Sequence, residues 1–401
     1  MTVGAYAIAL SSRWAGRSAI EGPHGSDYAS RQSTFQRHAF GEDAMRVGIL
    51  GVLLVAFGCA SWSAAQAQAR LCDKPRQMDG FKTCADVEKA EAEGEVVLYS
   101  TDPEQGQVKL LAAFRQLFPK IKTSYVRLQA GALYAKLLSE RQAKSYLVDV
   151  MQISDMGMVL DFQRRGGYRQ YVSPEMAAFK KEYKSEPEGF WTWGAIIMAG
   201  IAYNPNNVPA AEAPKTWEDL LDPKWTDAVN VKVSNSGLQH GVWYTLRPLL
   251  GADYFKKFAA IKPRAFDSYV QQYGRLIDGQ DKIIMGAQYS GYIEFKAKGA
   301  PLAFVFPQTG VPTVPQTWGI IKDGPHPNAA ELLMDWFLSP VGQKAYADAL
   351  LLHSPREDVP PPGNGLSLKE MKLLVPDDWN AFEKDRPQFA KEWDRIVGAR
   401  R

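Results

Sequence analysis

The stretch from Glu95 to Phe118 constrains the fold most, because it indicates a buried strand followed directly by a helix. Val96 to Tyr99 form a short apolar run of the kind found in strands covered on both faces. After Ser100 and Thr101, Asp102 suits a helix N-cap and the next residue, a proline, suits the first helical position. The helix is then predicted from apolar residues at helical spacing: Leu110, Leu111, Phe114, Leu117 and Phe118.

A strand that feeds a helix through a polar turn is half of a βαβ unit, and open α/β sheets bind ligands at such turns. The hydroxyl groups of Ser100 and Thr101 therefore either contact a ligand or only cap the helix. This turn alone does not decide between the two roles.

The pattern of a strand and then a helix recurs along the chain. Ile121 to Arg127 and Leu147 to Ile153 read as further strands, and the second ends on Ser154 and Asp155 before another helical pattern. A strand from Phe190 to Tyr203 and another from Val229 to Val233 follow. Strands alternating with helices predict an α/β fold with parallel sheets covered on both faces.

The length of 401 residues exceeds what one hydrophobic core usually serves, so two lobes are expected. The net charge is +3, from 47 basic and 44 acidic residues. That balance, without a basic cluster, argues against a nucleic-acid partner.

The N-terminal region resembles a secretory signal. Met45 and Arg46 open an uncharged apolar run from Val47 to Phe57, and Ala67-Gln68-Ala69 is a small-x-small cleavage site. We expect residues 45–69 to be a signal peptide and the mature protein to be a soluble periplasmic one. Residues 1–44 match neither a domain nor a signal, and we interpret them as an upstream extension from a start codon assigned too early.

Cleavage after Ala69 would leave two cysteines, Cys72 and Cys84. In an oxidising compartment, two nearby cysteines most simply form a disulfide. A metal site would need further ligands, and no histidine lies near them in the sequence.

Four segments together resemble the periplasmic solute-binding proteins of ABC importers, in the class related to the ferric-iron-binding proteins (the type 2 periplasmic binding fold). They are Val96 to Tyr99 with its helix, Ile201-Ala202-Tyr203-Asn204, the tryptophan-containing segment Pro214 to Trp225, and His326 to Gln343. The resemblance spans about residues 94–358.

This resemblance implies two α/β lobes joined by two crossing segments, with solute bound in the cleft between them. The first lobe would comprise residues 70–193 and 302–350, and the second residues 194–301. Residues 351–401 would be a tail packed on the outside. The resemblance further implies a monomer without a cofactor, working with an inner-membrane ABC permease.

Ser234-Asn235-Ser236-Gly237 is the sharpest candidate for ligand contact. It ends a strand and opens a helix whose apolar residues Leu238, Val242, Leu246 and Leu249 share one face. Backbone N–H groups and two hydroxyls at a helix N-terminus can bind an anion. A plain N-cap is the alternative, and the resemblance favours ligand contact.

The acidic residues Asp102, Glu104 and Asp155 follow the strands of the first lobe. An oxyanion therefore belongs on the second lobe, and Ser100, Thr101, Ser154 and Asp155 would suit hydroxyl or amine groups of the solute. Alternatively, Asp102 is only a cap and Asp155 is solvated. Further candidates for the cleft wall are Trp193, His240, Thr309 and Gly310, although a lone histidine or tryptophan is more often a core residue.

Tyr289 is the candidate metal ligand. Ferric-binding relatives place two adjacent tyrosines near this point, but Ser290 follows Tyr289 here and Tyr292 lies one helical turn further on. A hard ferric ion prefers several anionic oxygen ligands, and one tyrosine with scattered acids supplies too few of them. Tyr289 as an aromatic wall of the cleft is therefore the preferred interpretation.

The sequence holds no constellation typical of an enzyme. Its five histidines have no metal-binding spacing, and neither a Gly-x-Ser-x-Gly elbow nor a phosphate-binding glycine loop occurs. We expect a binding protein, with a periplasmic enzyme as the second hypothesis. The preferred solute is a small organic anion with a phosphate or phosphonate head group, and ferric iron and polyamines are the alternatives.

Overall fold

In a computed structural model of the protein, the described residues are Cys72 and residues 74–398. The predicted upstream extension and signal peptide lie outside this part of the chain. Of the described helices, none is long and apolar enough to cross a membrane.

The described chain is a mixed α/β fold. Its strands are β1 Arg76–Gln77, β2 Lys82–Thr83, β3 Glu95–Ser100, β4 Lys122–Arg127, β5 Val150–Ile153, β6 Thr192–Tyr203, β7 Val229–Lys232, β8 Arg264–Phe266, β9 Ile283–Gln288, β10 Ala303–Val305, β11 Val311–Ile320 and β12 Leu373–Leu374. Its α-helices are α1 Val87–Glu93, α2 Glu104–Leu117, α3 Ala130–Gln142, α4 Met156–Arg164, α5 Gly237–Leu250, α6 Tyr254–Ala260, α7 Tyr269–Ile277, α8 Tyr289–Ala297, α9 Pro327–Leu338, α10 Pro340–Leu350 and α11 Trp379–Val397.

The strands predicted to open the βα units are confirmed, and they pair in parallel as expected. β3 lies between β4 and β5, and β7 lies between β8 and β9, with every one of these pairs parallel. The carboxyl ends of parallel neighbours reach the same edge of a sheet, so the turns after them lie together.

Two long strands connect the two halves of the sheet. Residues 192–198 of β6 pair with β11, whereas residues 199–203 of β6 pair with β9. β11 returns the chain and pairs with β5 through residues 317–320. β10 pairs with residues 201–203 of β6, in the half that also holds β9. β6 and β11 are thus the two crossing segments of a two-lobed architecture, and the lobe limits given above stay predictions.

Each lobe has its own hydrophobic core. In the first, Phe114 of α2 and Phe337 of α9 pack with Trp318 of β11. In the second, Val231 and Val242 pack with Trp217, from the segment whose tryptophan pattern supported the resemblance. Burying side chains of this size is the main stabilising term for such a fold.

The C-terminal segment packs more deeply than a tail on the outside. Phe389 and Trp393 of α11 are fully buried, and they belong to the same core cluster as Val242 and Trp243 of α5. The apolar face of α11 repeats at helical spacing, with Phe382, Phe389, Trp393 and Val397 buried. α11 is therefore part of the second-lobe core.

The bond between Cys72 and Cys84 is present, which confirms the predicted disulfide. It joins the start of the described chain to the residues just after the β1–β2 hairpin. A covalent link of this kind limits the freedom of the unfolded N-terminal segment.

Candidate ligand-binding site

The turn after β7 forms the start of α5, as the sequence predicted. Ser236 is the N-cap, and its hydroxyl oxygen accepts a hydrogen bond from the backbone N–H of Gln239 at 3.3 Å. Ser234 and Gly237 are half-buried and Asn235 is exposed. The first turn of any α-helix leaves N–H groups without intrahelical partners, and its dipole favours a negative charge there. Contact of these four residues with a ligand stays a prediction.

The first turn of α5 meets the first lobe. A Cβ atom built on Gly237 would lie 3.3 Å from the carbonyl oxygen of Ser154, in the turn that follows β5. The lobes are therefore in contact at this point. The predicted anion-binding turn of the second lobe and the β5–α4 turn of the first are therefore neighbours.

Thr101 lies beside the crossing strand β11. Its hydroxyl oxygen accepts a hydrogen bond from the Nε2 atom of Gln316 at 3.0 Å. The other amide atom, Oε1 of Gln316, is buried and has no hydrogen-bond partner within the described chain. A buried acceptor without a donor is costly, and a hydrogen-bond donor of a bound solute would satisfy it.

Ser100 and Asp102 belong to a buried polar network behind the β3–α2 turn. The Ser100 hydroxyl donates to Oε1 of Gln152 at 2.5 Å, and Nε2 of Gln107 also lies 2.6 Å from that oxygen. Oδ2 of Asp102 accepts hydrogen bonds from Gln107, Gln152 and the hydroxyl of Tyr346. Burial raises the pKa of Asp102 to about 7, although these hydrogen bonds oppose the rise.

The predicted capping role of Asp102 is wrong. The N-cap of α2 is Pro103, and no side chain caps that helix. One of the hydrogen bonds to its carboxylate comes from Gln107 on α2, and the other two come from Gln152 and Tyr346 on distant elements, which the local sequence pattern does not reveal.

Asp155 caps α4 and is paired with the C-terminal helix. Its Oδ1 atom accepts a hydrogen bond from the Met158 N–H at 3.2 Å, and its Oδ2 atom lies 2.8 Å from Nη2 of Arg386. The carboxylate is thus neither solvated nor free to bind a cationic solute while this ion pair holds.

Trp193 and His240, two of the candidate wall residues, are buried among aromatic side chains. Trp193 stacks on Tyr183 with ring centroids 4.5 Å apart, and Trp379 of the C-terminal segment meets its edge. His240 lies between Phe382 and Phe389 of α11, with centroid distances of 3.9 and 4.8 Å. Burial, helped by the nearby charge of Arg386, lowers the pKa of His240 to about 3. The imidazole is neutral, so its approach to Asp385 is not an ion pair.

Tyr289 lies in an aromatic cluster at the start of α8, on the crossing-strand side. Its ring lies 5.0 Å from that of Phe304 and 4.8 Å from that of Phe306. Burial raises the pKa of its hydroxyl, with a smaller contribution from Tyr292. In the absence of a cation, the phenolate form is therefore disfavoured here. Across the described residues, no three His, Cys, Asp or Glu side chains are grouped so as to hold a metal ion.

Thr309 and Gly310 precede β11, at the point where the chain returns to the first lobe. The hydroxyl of Thr309 is buried without a hydrogen-bond partner among the described residues. Gly310 has a φ of 144°, and a Cβ there would lie 2.5 Å from Leu374, so only glycine fits. Its carbonyl oxygen accepts a hydrogen bond from the Trp217 indole at 3.1 Å.

Lys232 is the residue of this site that the sequence analysis missed. It ends β7, is only 9% exposed, and lies with its ammonium 3.3 Å from Oε1 of Gln288, the last residue of β9. Nε2 of Gln288 in turn donates to the hydroxyl of Ser290 at 2.8 Å. The alternation of apolar Val229, Val231 and Val233 is the signal that could have found it, because it places Lys232 on the opposite face of a buried strand.

A cavity of about 140 Å³ lies elsewhere, between the residues that follow α10 and the first lobe. Its buried charge, Arg356, is already paired with Asp358 at 2.7 Å and Glu175 at 3.1 Å. This cavity is lined by other residues than the turns after β3, β5 and β7, where the solute is expected. We therefore do not assign it as the solute site.

Comparison with known proteins connects this geometry with a family. The chain is 24% identical over 272 residues to an uncharacterized protein of Haemophilus influenzae. This alignment covers 64% of this chain and 76% of that protein. It shares its fold with the periplasmic binding protein AfuA of Actinobacillus pleuropneumoniae, solved with fructose-6-phosphate bound, at a TM-score of 0.65 and 22% identity, covering 76% of this chain and 98% of AfuA.

Iron-bound HitA of Pseudomonas aeruginosa aligns equally well, at a TM-score of 0.65 and 17% identity, covering 75% of this chain and 99% of HitA. At these identities the structural matches establish the fold, a two-lobed one in both cases, and not the solute. The sequence match is more direct: the family model of the bacterial extracellular solute-binding proteins matches residues 147–385, more than half of the chain, and this protein therefore belongs to that family.

Proposed function

We propose that this protein is the periplasmic substrate-binding component of an ABC uptake system and captures a small organic anion between its two lobes. The preferred head group is a phosphate or phosphonate. The observation that carries the proposal is the first turn of α5, which holds Ser234, Ser236 and Gly237 without an acidic residue and touches the first lobe at Ser154. A helix N-terminus of this kind favours an oxyanion. The sugar phosphate bound by AfuA supports the same class.

Ferric iron is the less favoured cargo, although HitA carries it. Tyr289 is buried among aromatic rings, and the described residues hold no group of three His, Cys, Asp or Glu side chains that could complete a metal site. Ferric citrate titration tests this directly, because a tyrosinate–iron complex absorbs visible light. A stoichiometric coloured complex that is lost in Tyr289→Phe would establish iron as the solute.

A polyamine is also less favoured, because two of the three candidate acids of the first lobe, Asp102 and Asp155, are engaged. Asp102 lies in a buried network, and Asp155 is paired with Arg386. A polycation needs several carboxylates free to approach it. Polyamines belong in the same binding screen, where a melting-point shift with polyamines alone would contradict the anion proposal.

We further propose that the protein binds its solute as a monomer and without turnover, then delivers it to an inner-membrane permease. Stoichiometric binding with recovery of intact solute supports this, and conversion of the solute would revive the enzyme hypothesis. Export through the segment 45–69 predicts a mature chain that begins near Arg70. Intact-mass measurement on periplasmic material tests that start, and a species that keeps residues before Met45 would contradict it.

A thermal-shift screen of phosphonates, sugar phosphates, polyamines and ferric chelates is the most informative experiment. A solute that binds only the folded protein stabilises it by about 2.7 kcal/mol at a hundredfold excess over its dissociation constant. Small-angle scattering with the solute that gives the largest shift should show compaction as the lobes close. Unchanged dimensions at saturation would contradict hinge closure.

A further inference from the structure

Lys232 is a buried cation without a counter-ion. The residue is 9% exposed, and among the described residues no carboxylate oxygen lies within 4.0 Å of its ammonium group. Burial alone lowers its pKa to about 8. A buried ammonium that loses its hydration without an opposite charge is costly.

Some of the other buried charges in the described part of the chain have ion-pair partners. Asp281, in the same lobe, makes ion pairs with Arg264 and Arg275. Arg356, in the other lobe, lies between Glu175 and Asp358. The buried carboxyl groups of Asp102 and Asp335 have no ion pair either, but each accepts three hydrogen bonds. Among the described residues, the ammonium group of Lys232 has a single hydrogen-bond partner, Gln288, which points to a partner from outside the chain.

Hydrogen bonds to α5 and α11 hold the backbone of Lys232 on both sides. Its N–H donates to Oε1 of Gln239 at 3.1 Å, and its carbonyl oxygen accepts from the Trp393 indole at 2.8 Å. Gln239 is the residue whose own N–H is capped by Ser236. One hydrogen-bonded unit thus connects Lys232 with the first turn of α5.

The groups around the ammonium are polar but uncharged. Oε1 of Gln288 lies 3.3 Å away, and the ring of Tyr269 lies 5.9 Å away, with its hydroxyl engaged by Glu294 at 2.9 Å. An amide oxygen and a ring face attract a cation without neutralising it. The charge of Lys232 therefore stays available to an anion that enters between β7 and the start of α8.

We propose that Lys232 is the counter-ion of the solute's head group and sets the specificity of the cleft for a doubly charged oxyanion of the phosphate or phosphonate class. This inference rests on the proposed function, because it assigns a residue to the same site. The solute would supply the missing negative charge, while Ser236 and the first N–H groups of α5 would bind its oxygen atoms. A neutral solute would leave the buried ammonium unbalanced and be rejected.

The test is calorimetric titration of inorganic phosphate and methylphosphonate into the full mature protein. The variants are Lys232→Gln and Lys232→Met, and the matched control is Lys282→Gln, which removes an exposed lysine from the same lobe. We expect both Lys232 variants to lose about 10- to 100-fold in affinity for either anion. The Lys282 variant should bind as the wild type does.

The ligand-free melting temperature separates a binding role from a structural one. Removing an unpaired buried charge should leave Lys232→Met as stable as the wild type or more stable, and a marked loss would overturn the inference. A measurement on the wild type avoids dependence on folding of the variants: near pH 8, phosphate binding should take up protons, because the anion favours the charged lysine. Absence of proton uptake would count against Lys232.

The outcomes distinguish the inference from the proposed function. If the wild type binds these anions and both Lys232 variants bind them equally well, the inference is wrong and the proposed anion site stands. If the wild type binds neither these anions nor any sugar phosphate or phosphonate of the screen, but binds a polyamine or a ferric chelate, the proposed anion specificity is wrong, and the role of Lys232 with it.

Discussion

Nη2 of Arg386 in the C-terminal helix lies 2.8 Å from Oδ2 of Asp155, the N-cap of α4 in the first lobe. The same helix is anchored in the second lobe, where Phe389 and Trp393 are fully buried. α11 therefore contacts both lobes, and the Arg386–Asp155 pair is its charged link to the first. A segment attached in this way favours the lobe arrangement in which both attachments are made.

Replacing Arg386 with glutamine should release the first lobe from α11. The pair is mostly shielded from solvent, with side-chain exposures of 22% for Arg386 and 7% for Asp155. We expect the free energy of unfolding to fall by about 1–3 kcal/mol. The radius of gyration of the ligand-free protein, measured by small-angle scattering, should increase.

Lys384→Gln is the matched control, because this exposed lysine lies two residues away on the same helix. It removes one positive charge without touching Asp155. Equal radii of gyration for Arg386→Gln and the wild type would show that the pair does not hold the lobes together.

The anchoring of α11 in the second lobe predicts a large cost for Trp393→Ala. The indole is buried in the second-lobe core, and its N–H donates to the Lys232 carbonyl oxygen at 2.8 Å. Loss of a buried tryptophan typically costs about 3–5 kcal/mol. Chemical denaturation would measure this cost, with the exposed Lys391→Ala as control. A cost below about 1 kcal/mol would contradict the assignment of α11 to this core.

The order of strands and helices could be predicted from the sequence because it is a local property. Val96 to Tyr99 form the apolar run of a buried strand, Val229 to Val233 alternate apolar with polar residues, and Ser236 precedes a clear helical pattern. These features depend on neighbours within a few residues, and β3, β7 and α5 begin and end close to the predicted positions.

The partners of polar side chains could not be predicted in the same way. Asp102 resembles a helix cap locally, yet its carboxylate is bound by Gln152 and Tyr346, which lie 50 and 244 residues away in sequence. From its position in the sequence, His240 is a candidate cleft residue, but in the structure Phe382 of α11 stacks on its ring. Such contacts arise from tertiary packing, and a single sequence holds no local signal for them.

The buried carboxyl of Asp102 predicts a pH dependence of stability. Its pKa is raised from 3.8 to about 7, so between these values the folded protein holds a proton that the unfolded chain releases. The contribution of Asp102 to stability is therefore greatest at low pH and is lost as the pH rises through about 7. An asparagine retains an oxygen that can accept the bonds from Gln107, Gln152 and Tyr346 and carries no charge.

We expect Asp102→Asn to be more stable than the wild type at pH 8, by an amount on the order of 2 kcal/mol, and to lose this advantage near pH 4. Urea denaturation of both proteins across this range measures the difference. Asp335, whose pKa is also raised, is present in both proteins and cancels in the comparison. Parallel stability curves would show that Asp102 does not titrate in this range.

The hydroxyl of Ser236 is expected both to cap α5 and to bind the anion, and two substitutions separate these roles. Ser236→Ala removes the hydrogen bond to the Gln239 N–H, which should cost about 1 kcal/mol of stability, and anion affinity should fall about tenfold or more. Asp86→Ala removes the cap of α1, far along the chain from the α5 turn, so it should show a similar stability loss with unchanged affinity.

Ser236→Asp gives the sharper result, because aspartate is a good N-cap but carries its own negative charge. This variant should keep the stability of the wild type and lose anion binding, since its carboxylate repels the head group and competes for the ammonium of Lys232. Thermal denaturation without ligand and calorimetry with methylphosphonate measure the two effects. If Ser236→Asp binds the anion as tightly as the wild type does, the head group lies elsewhere in the cleft. A different result would point to a cationic solute: the wild type binds polyamines, and Ser236→Asp binds them more tightly. In that case the first turn of α5 has only its structural role.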